Sequence, residues 1–420
     1  MTDMDVEGGR SAGTVGRRRS PANGEQRVVR RRPKNRRAQI AAEAAAAFGS
    51  SGYHGVSMED IAGRLGISSA ALYRHYPSKY ALFREELQRL AEVNLAATVL
   101  PEEAAAWTPQ QRIDHVLSAT IATMLANRTT VALARWEQRY LERADRKAMD
   151  EQFAAATTAL RRLIGELRPE LDGHDRAVRA VAIFSVISSI GDHHTTIPAK
   201  PLTQLLKSTS WALIRTDLPA VDSTPEPPPP VEIPESFKHE LLLKKAVDLF
   251  KDRGYANVSM EDIASAADLS AASAVYRYYR SKSTLLAAAF RRAGDRVSGA
   301  IGPAVAAAST PADALSTLIE LYVAGSFEDR ALTYVYYSEF SHVDPEDRAT
   351  LRHLQHQVVA EWAKLVVAVR PELTIGQARI LVHAAFGLVI GLGRVFGDDG
   401  ICPQPRVVQL LGVTLFGQLP

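Results

Sequence analysis

The sequence predicts an all-α protein built from two similar halves, and three observations support this fold class. Alanine, leucine, arginine and glutamate are abundant, whereas runs of β-branched residues are short. A long segment recurs once, 202 residues further along the chain, and a proline-rich stretch separates the two copies. With 420 residues the chain exceeds what one hydrophobic core usually supports, so two or more domains are expected.

The repeat is clearest at residues 48–62, FGSSGYHGVSMEDIA, which return at residues 250–264 as FKDRGYANVSMEDIA. The same spacing holds far downstream, where the sequence RPEL occurs at 168–171 and again at 370–373. The repeat therefore covers a whole domain rather than one motif. Between the copies, residues 219–234 read PAVDSTPEPPPPVEIP and predict an extended spacer, because four consecutive prolines cannot continue a helix.

Charge and cysteine content narrow the class of protein. The net charge of +3 conceals a basic start, since residues 1–37 contain 11 Lys/Arg and 4 Asp/Glu, a local net charge of +7. Such a tail typically binds the phosphates of nucleic acid or an anionic surface. Cys402 is the single cysteine, so no intramolecular disulfide can form and a cytoplasmic location is expected. Because His383 and Arg394 interrupt the apolar segment 380–396, we expect a buried helix there and no membrane span.

Residues 40–76 follow the pattern of a helix-turn-helix. Apolar residues from Ile40 to Phe48 recur at helical spacing and predict a first helix. Ser57 and Asp60 have the spacing of a capping box at the start of a short second helix. A turn containing glycine then leads to a third helix over residues 69–76. A helical hairpin would fit the caps alone, but the third helix also carries several large side chains with polar tips, as expected of a DNA-reading element.

Four motifs follow one another in the first copy: Phe-x-x-x-Gly-Tyr, Ser-Met-Glu-Asp-Ile-Ala, Ala-Leu-Tyr-Arg-His-Tyr and Ser-Lys-Tyr-Ala-Leu. Together they resemble the N-terminal signature of TetR-family regulators, over about residues 36–85 and again over 238–288. The resemblance implies an α-helical repressor with a small head that binds a double-stranded DNA operator and a larger body that binds an effector. It also implies DNA contacts from Ser57, Ser69, Ala70, Tyr73, Arg74, His75 and Lys79. Serine and lysine at helix N-termini, a phenol, an imidazole and a guanidinium can all bind phosphates or base edges.

The second copy departs from the first in its reading helix. Residues 269–276, LSAASAVY, are one residue longer than the matching 67–73, and Asp268 stands where the first copy has Gly66. An extra residue turns a helical face by about 100° unless the turn absorbs it, which leaves the alignment at the start of this helix open. The DNA contacts implied for the second copy are Ser259, Ala272, Ser273, Tyr276, Arg277, Tyr278 and Lys282.

The basic tail enters the first helix directly. Arg31, Arg32 and Arg36 are candidates for phosphate or minor-groove contacts. The alternative is a solvated tail with no role in binding.

The two bodies are expected to pair within one chain. The last helices of the halves are predicted at residues 151–167, 176–193, 350–369 and 377–395. In the family such helices form a four-helix dimer interface, so the resemblance implies a monomeric pseudo-dimer and leaves open whether more than one copy binds the DNA. Gly387, Gly391 and Gly393 would let these helices approach closely.

Residues for an effector pocket are harder to select, because aromatic residues and histidines at this spacing are more typical of a core. The candidates are Trp136, His193, Tyr334, Tyr337, Phe340 and Trp362. Tandem regulators of this architecture resemble a small actinobacterial group associated with lipid or steroid metabolism, which implies a small apolar effector. Two histidine pairs, His193-His194 and His353-x-x-His356, lack a clustered carboxylate or cysteine, and no nucleophile–base set is found. No metal, cofactor or catalytic residue is therefore expected.

The sequence thus predicts a ligand-released repressor that reads an asymmetric operator and is not an enzyme. The alternatives are a ligand-independent or activating regulator, an enzyme with a DNA-binding head, and an architectural protein that coats DNA. The predicted domains are residues 1–35 (basic tail), 36–85 (first head), 86–218 (first body), 219–234 (linker), 235–288 (second head) and 289–420 (second body).

Overall fold

The structure, a computed structural model, describes residues 36–221, 237–397 and 400–417. These residues form eighteen α-helices joined by turns and short 3₁₀ segments, and no β-strand occurs among them. The predicted all-α class is confirmed. The predicted basic tail, with Arg31 and Arg32, and most of the predicted linker lie outside the described residues.

The helices form two sets of nine in the same order. The first set is α1 (Arg36–Ser51), α2 (Met58–Arg64), α3 (Ser69–Tyr73), α4 (Lys79–Ala96), α5 (Pro109–Ala126), α6 (Arg128–Trp136), α7 (Arg143–Leu167), α8 (Gly173–Ser188) and α9 (Ala199–Arg215). The second set is α10 (Lys238–Arg253), α11 (Met260–Ala266), α12 (Ala272–Tyr276), α13 (Lys282–Ala307), α14 (Pro311–Glu328), α15 (Arg330–Ser338), α16 (Pro345–Val369), α17 (Ile375–Phe396) and α18 (Gln404–Phe416). Helices α1, α2, α7 and α8 begin 202 residues before α10, α11, α16 and α17, so the sequence repeat is a structural repeat.

The first three helices of each set form a head, and reciprocal capping boxes fix the start of its second helix. Ser57 Oγ accepts the amide of Asp60 at 3.1 Å, while the Asp60 carboxylate accepts the amide of Ser57 at 2.9 Å. Ser259 and Asp262 repeat this pair at 3.0 and 2.8 Å. Each cap satisfies donors that a helix N-terminus would otherwise leave free, which is worth about 1 kcal/mol.

The extra residue of the second copy is accommodated in the turn before α12. Helices α3 and α12 are equally long and end at Tyr73 and Tyr276, so the reading helix keeps its length and its register. Asp268 adopts the left-handed conformation (φ 53°) that Gly66 adopts in the first copy (φ 62°). The insertion removes a cap, because Ser68 caps α3 through its side chain whereas Ala271 at the start of α12 has no side chain that could do so.

The body helices differ from the predicted ranges in their starts and in their number. Helices α7 and α16 begin at Arg143 and Pro345, about two turns and about one and a half turns before the predicted starts, and a 3₁₀ segment at Ser189–Gly191 ends α8 early. Helices α9 and α18 follow, so the predicted pairs are not the last helices of the halves.

The two copies pack together through α8 against α17 and through α9 against α18. The prediction that α7 and α16 share this interface is therefore wrong: α7 packs on α4, α5 and α8, and α16 on α13, α14 and α17. Gly387 and Gly391 lie at the close approach, where Gly387 faces Ser189 of the 3₁₀ segment after α8 and Gly391 faces Ser185 of α8. Gly393 faces open space, so the predicted role of this third glycine is also wrong.

The hydrophobic core is shared between the copies. A single cluster of buried residues joins the first head, both bodies and the α8–α17 contact, while the second head has its own cluster with residues of α15 and α16. Among the described helices, α17 has the length and apolar character of a membrane span, but 72% of its most apolar window is buried inside the protein. This burial matches the core helix predicted for the segment 380–396.

Candidate nucleic-acid interface

The reading helices α3 and α12 present matching surfaces. Tyr73 and Tyr276 are 46% and 51% exposed, although large aromatic side chains are usually buried. One residue earlier, Leu72 and Val275 are completely buried and anchor the helices to their heads. The two helices therefore display their tyrosines in the same orientation relative to the core of each head.

The other predicted base or phosphate contacts surround these tyrosines. Among the described residues, the side chains of those that lie on α3 and α12 or directly after them have no hydrogen bond or ion pair, so their polar groups remain available to a ligand. Most of this set is exposed, while the first residue of each helix is half-buried: Ser69, Ala70, Arg74 and His75 in the first head, and Ala272, Ser273, Arg277 and Tyr278 in the second. The ring of Tyr278 also packs at 6.3 Å from that of His239.

Ser57 and Ser259 are occupied by their capping boxes. Each hydroxyl donates to the aspartate of its own box, over 2.7 Å in both heads. Because that proton is already used, the hydroxyl has no donor left for a DNA phosphate.

Lys79 and Lys282 have a structural role that the sequence did not indicate. The Lys79 ammonium donates to the carbonyls of Tyr53 and Val56, both over 2.9 Å, and lies 4.4 Å from the centre of the Tyr53 ring. Lys282 binds the equivalent carbonyls of the second head over 2.5 and 2.6 Å. Burial lowers the pKa of both lysines. Each ammonium thus has one of its three protons left for a phosphate.

At the entry to α1 the two arginines have different environments. The Arg36 guanidinium donates to the Gln39 side chain over 3.2 Å, whereas Arg37 makes a two-pronged ion pair with Glu85 on α4 and lies 4.8 Å from the Tyr76 ring. Arg37 therefore fixes α1 to α4, and Arg36 is the freer of the two.

A buried carboxylate connects each head to its own body, and sequence reasoning missed both. Glu137, which follows α6, accepts the backbone amide of Tyr53 over 3.3 Å, and Glu339, which follows α15, accepts that of Tyr255 over 3.2 Å. Burial raises the pKa of Glu137, and it raises that of Glu339 to about 7. The two glutamates are 202 residues apart, so the repeat itself was the signal that could have identified them.

Each body contains a cavity, and residues one or two positions before these glutamates line it. The cavity of the second copy, about 300 Å³, is lined by Tyr337 and Trp362 among mostly apolar residues. The cavity of the first copy, about 510 Å³, is lined by Trp136 and is closed on one side by α17 of the second copy. Trp136 and Tyr337 stack with ring centres 5.1 Å apart, so one aromatic pair joins the two cavity walls.

The remaining pocket candidates lie elsewhere. Tyr334 and Phe340 pack against the core cluster of the second head. His193 is buried, contacts the Arg128 guanidinium at 3.0 Å and stacks on His383 at 4.2 Å, and burial lowers its pKa to about 2. None of the three lines the two cavities described above.

Comparison with known proteins places these heads in a family. Residues 40–85 and 242–289 both match the family described as bacterial regulatory proteins, tetR family. Residues 308–412 match the family described as tetracyclin repressor-like, C-terminal domain. A curated relative is the HTH-type transcriptional activator FasR of Mycolicibacterium smegmatis, 34% identical over 110 residues, which are 26% of this chain. The matched stretch spans about half of that relative, 50% of its length.

Solved structures similar to this chain have low identity and each covers less than half of it. A TetR-family regulator from Bordetella parapertussis is 18% identical with a TM-score of 0.40, over 43% of this chain and 94% of its own. The ketosteroid regulator KstR2 of Mycobacterium tuberculosis is 19% identical with a TM-score of 0.37, over 43% of this chain and 94% of its own. The duplicated family match and the two helix-turn-helix heads on one helical scaffold together lead to one conclusion: the chain carries the domain of the bacterial regulatory proteins of the tetR family twice, once in each head.

Proposed function

We propose that this protein is a single-chain repressor that reads an asymmetric operator and is released by a small apolar effector. The observation that carries the proposal is the pair of reading helices, which share their fold and register but differ in the side chains they expose. A regulator of this kind acts where the chromosome is, in the cytoplasm.

The asymmetry rests on three aligned positions. Tyr73 and Arg74 have direct equivalents in Tyr276 and Arg277, which gives both heads the same phosphate anchors. The neighbouring positions differ, because Ser69, Ala70 and His75 are replaced by Ala272, Ser273 and Tyr278. Two heads with equal anchors and unequal base contacts favour two different half-sites at a fixed separation.

The cavity of the second copy supports an apolar effector. Its walls include Leu318, Val358 and Phe386, and burial strongly raises the pKa of the tyrosines that line it, so these stay neutral. Tyr336 and Tyr337 belong to α15, the helix that is followed by Glu339. A ligand that shifts α15 therefore shifts the carboxylate that holds the second head, and this link connects ligand binding to release of DNA.

The sign of regulation follows the family resemblance, which implies repression. The curated relative described above is named as an activator, so activation is the second candidate. A transcription assay on a promoter that carries the selected operator separates them, since repression predicts less transcript when protein is added and activation predicts more.

We expect the free protein to be a monomer, because α8 and α17 already satisfy within one chain the interface that a homodimer would form between two. Light scattering at micromolar concentration should give a mass near 45.8 kDa. A stable species of twice that mass would contradict the single-chain pseudo-dimer.

If the arginines that precede α1 contact phosphates, deletion of residues 1–35 should lower the affinity for DNA. It should also make that affinity less sensitive to salt concentration. Counterion release predicts that the slope of log affinity against log salt changes by roughly 0.9 per lost phosphate contact. The slope is measured between about 50 and 200 mM salt, a range over which loss of phosphate contacts changes affinity steeply. An unchanged slope would show that the tail makes no contact with DNA.

The direct test of the proposal is a selection of binding sites from random duplex DNA with the full chain. Selection of one site with two unlike halves would support the proposal, whereas no enrichment above background would contradict sequence-specific binding.

A further inference from the structure

A buried ion pair joins the two copies between their heads. The Arg139 guanidinium of the first copy donates to both carboxylate oxygens of Glu339 in the second, over 2.6 and 2.9 Å, and to the Ser338 carbonyl over 2.5 Å. The Glu339 side chain is completely buried and the Arg139 side chain is 15% exposed. A two-pronged guanidinium–carboxylate pair of this kind fixes orientation as well as distance.

The ion pair lies at the point where each head is held. Glu339 also accepts the Tyr255 amide of the second head, and Glu137, two residues before Arg139, accepts the Tyr53 amide of the first. Arg139 belongs to the same short segment as Glu137, which binds the first head, and it pairs with Glu339, which binds the second head. It therefore links the attachment points of the two heads.

Aromatic contacts also connect the two heads at this place. Tyr140, next to Arg139, stacks on Tyr53 of the first head with ring centres 5.7 Å apart. Its hydroxyl lies 3.3 Å from His342 Nε2, and His342 stacks on Tyr255 of the second head at 4.6 Å. The two heads are thus connected through four rings and one ion pair, and the four rings stand at positions related by the repeat.

The ion pair breaks the symmetry of the repeat. The position equivalent to Arg139 is Ser341 in the second copy, so the arginine that pairs with Glu339 has no counterpart that could pair with Glu137. Glu137 accepts one backbone amide and has no ion pair among the described residues, whereas Glu339 has both kinds of contact. A homodimer, with identical halves, could not place one arginine in this way.

We propose that Arg139 is a positioning residue that sets the separation and orientation of the two reading heads. This inference rests on the proposed function, because it assumes that both heads read one operator. Rigid connection gives the second head a high effective concentration at its half-site once the first head has bound, and typically raises affinity by about 10²- to 10⁴-fold. Loss of Arg139 removes the ion pair that fixes the heads relative to each other, while the α8–α17 and α9–α18 contacts still hold the two bodies together.

The test compares affinity for the complete operator with affinity for a duplex that contains one half-site. The operator comes from the selection described above, and a third duplex lengthens the spacer by two base pairs. Arg139→Ala is expected to lower the ratio of full-site to half-site affinity at least tenfold and to bind the lengthened spacer as well as the original. Arg139→Lys keeps the charge but not the two-pronged geometry, so it should give an intermediate ratio.

The matched control is Arg162→Ala, which removes a largely exposed arginine that pairs with Glu166, four residues along the same helix. It should keep the wild-type ratio and the wild-type spacer preference. A merely structural role of Arg139 would lower binding to both duplexes equally, so an unchanged ratio in Arg139→Ala would overturn the inference. If the wild-type chain binds neither duplex specifically, the proposed function fails, and the inference fails with it.

Discussion

His75→Ala is expected to weaken binding to one half of the operator and to leave the other half unaffected, and Tyr278→Ala to do the reverse. The two residues occupy the same place after Tyr73-Arg74 and Tyr276-Arg277, and neither side chain has a hydrogen bond within the described residues. Loss of one base contact costs about 1–3 kcal/mol, so each variant should bind its own half-site roughly 5- to 150-fold more weakly.

The effect is measured with two duplexes, each of which keeps one half-site and carries a scrambled sequence in the other. The control is Arg64→Ala, since Arg64 lies at the end of α2 and makes only an exposed ion pair with Glu43 at 3.8 Å. If His75→Ala and Tyr278→Ala weaken binding to the same half-site, the assignment of one head to each half is wrong.

Gly391→Ala is expected to destabilise the protein by about 1–3 kcal/mol, because it inserts a methyl group into a closed helix contact. A Cβ at this position would lie 1.9 Å from Ser185 Oγ and 2.7 Å from Ser185 Cβ, and the Ser185 hydroxyl is already bound to the Val181 carbonyl over 2.7 Å. Helices α8 and α17 would have to separate, and with them the two copies.

Gly393→Ala is the matched control, two residues further along the same helix. No atom lies within 4 Å of a Cβ built there, so the substitution gains only the better helix propensity of alanine, up to about 1 kcal/mol. The two variants should therefore shift the thermal unfolding midpoint in opposite directions. A midpoint for Gly391→Ala equal to or above that of the wild type would contradict the close packing of the copies.

The helix caps and the apolar spacing of the heads could be predicted from the sequence, because each of these features depends on residues only three or four positions apart. The Ser57–Asp60 and Ser259–Asp262 boxes form as predicted, and Ile40 and Phe48 are buried as their spacing indicated. The repeat carried the same prediction to the second copy. These features depend on neighbours within one helix or one turn, which a single sequence reveals.

The insertion in the second head had two possible outcomes, and the sequence could not choose between them. An extra residue inside α12 would have rotated its exposed face, whereas the structure places that residue before Ala272. Packing decides the outcome, because Val275 and Tyr279 must remain buried where Leu72 and Tyr76 are buried in the first head.

Contacts between segments that are far apart in the chain could not be predicted from the sequence. Lys79 has the position and charge of a phosphate ligand, but its two carbonyl partners come from a loop more than twenty residues earlier. Arg139 and Glu339 are 200 residues apart and belong to different copies. Such pairs depend on how the bodies pack. The same packing places α9 and α18, rather than α7 and α16, at the interface between the copies.

Comparison of the selected operator with two palindromes, each built from one of its halves, tests the central claim that one chain carries two unlike reading heads. All three duplexes keep the same spacing, so geometry is constant and only base contacts differ. The asymmetric operator should bind more tightly than either palindrome, by the roughly 5- to 150-fold that one mismatched contact of about 1–3 kcal/mol produces. A palindrome that binds as tightly as the selected operator would show that the two heads are equivalent and would contradict the claim.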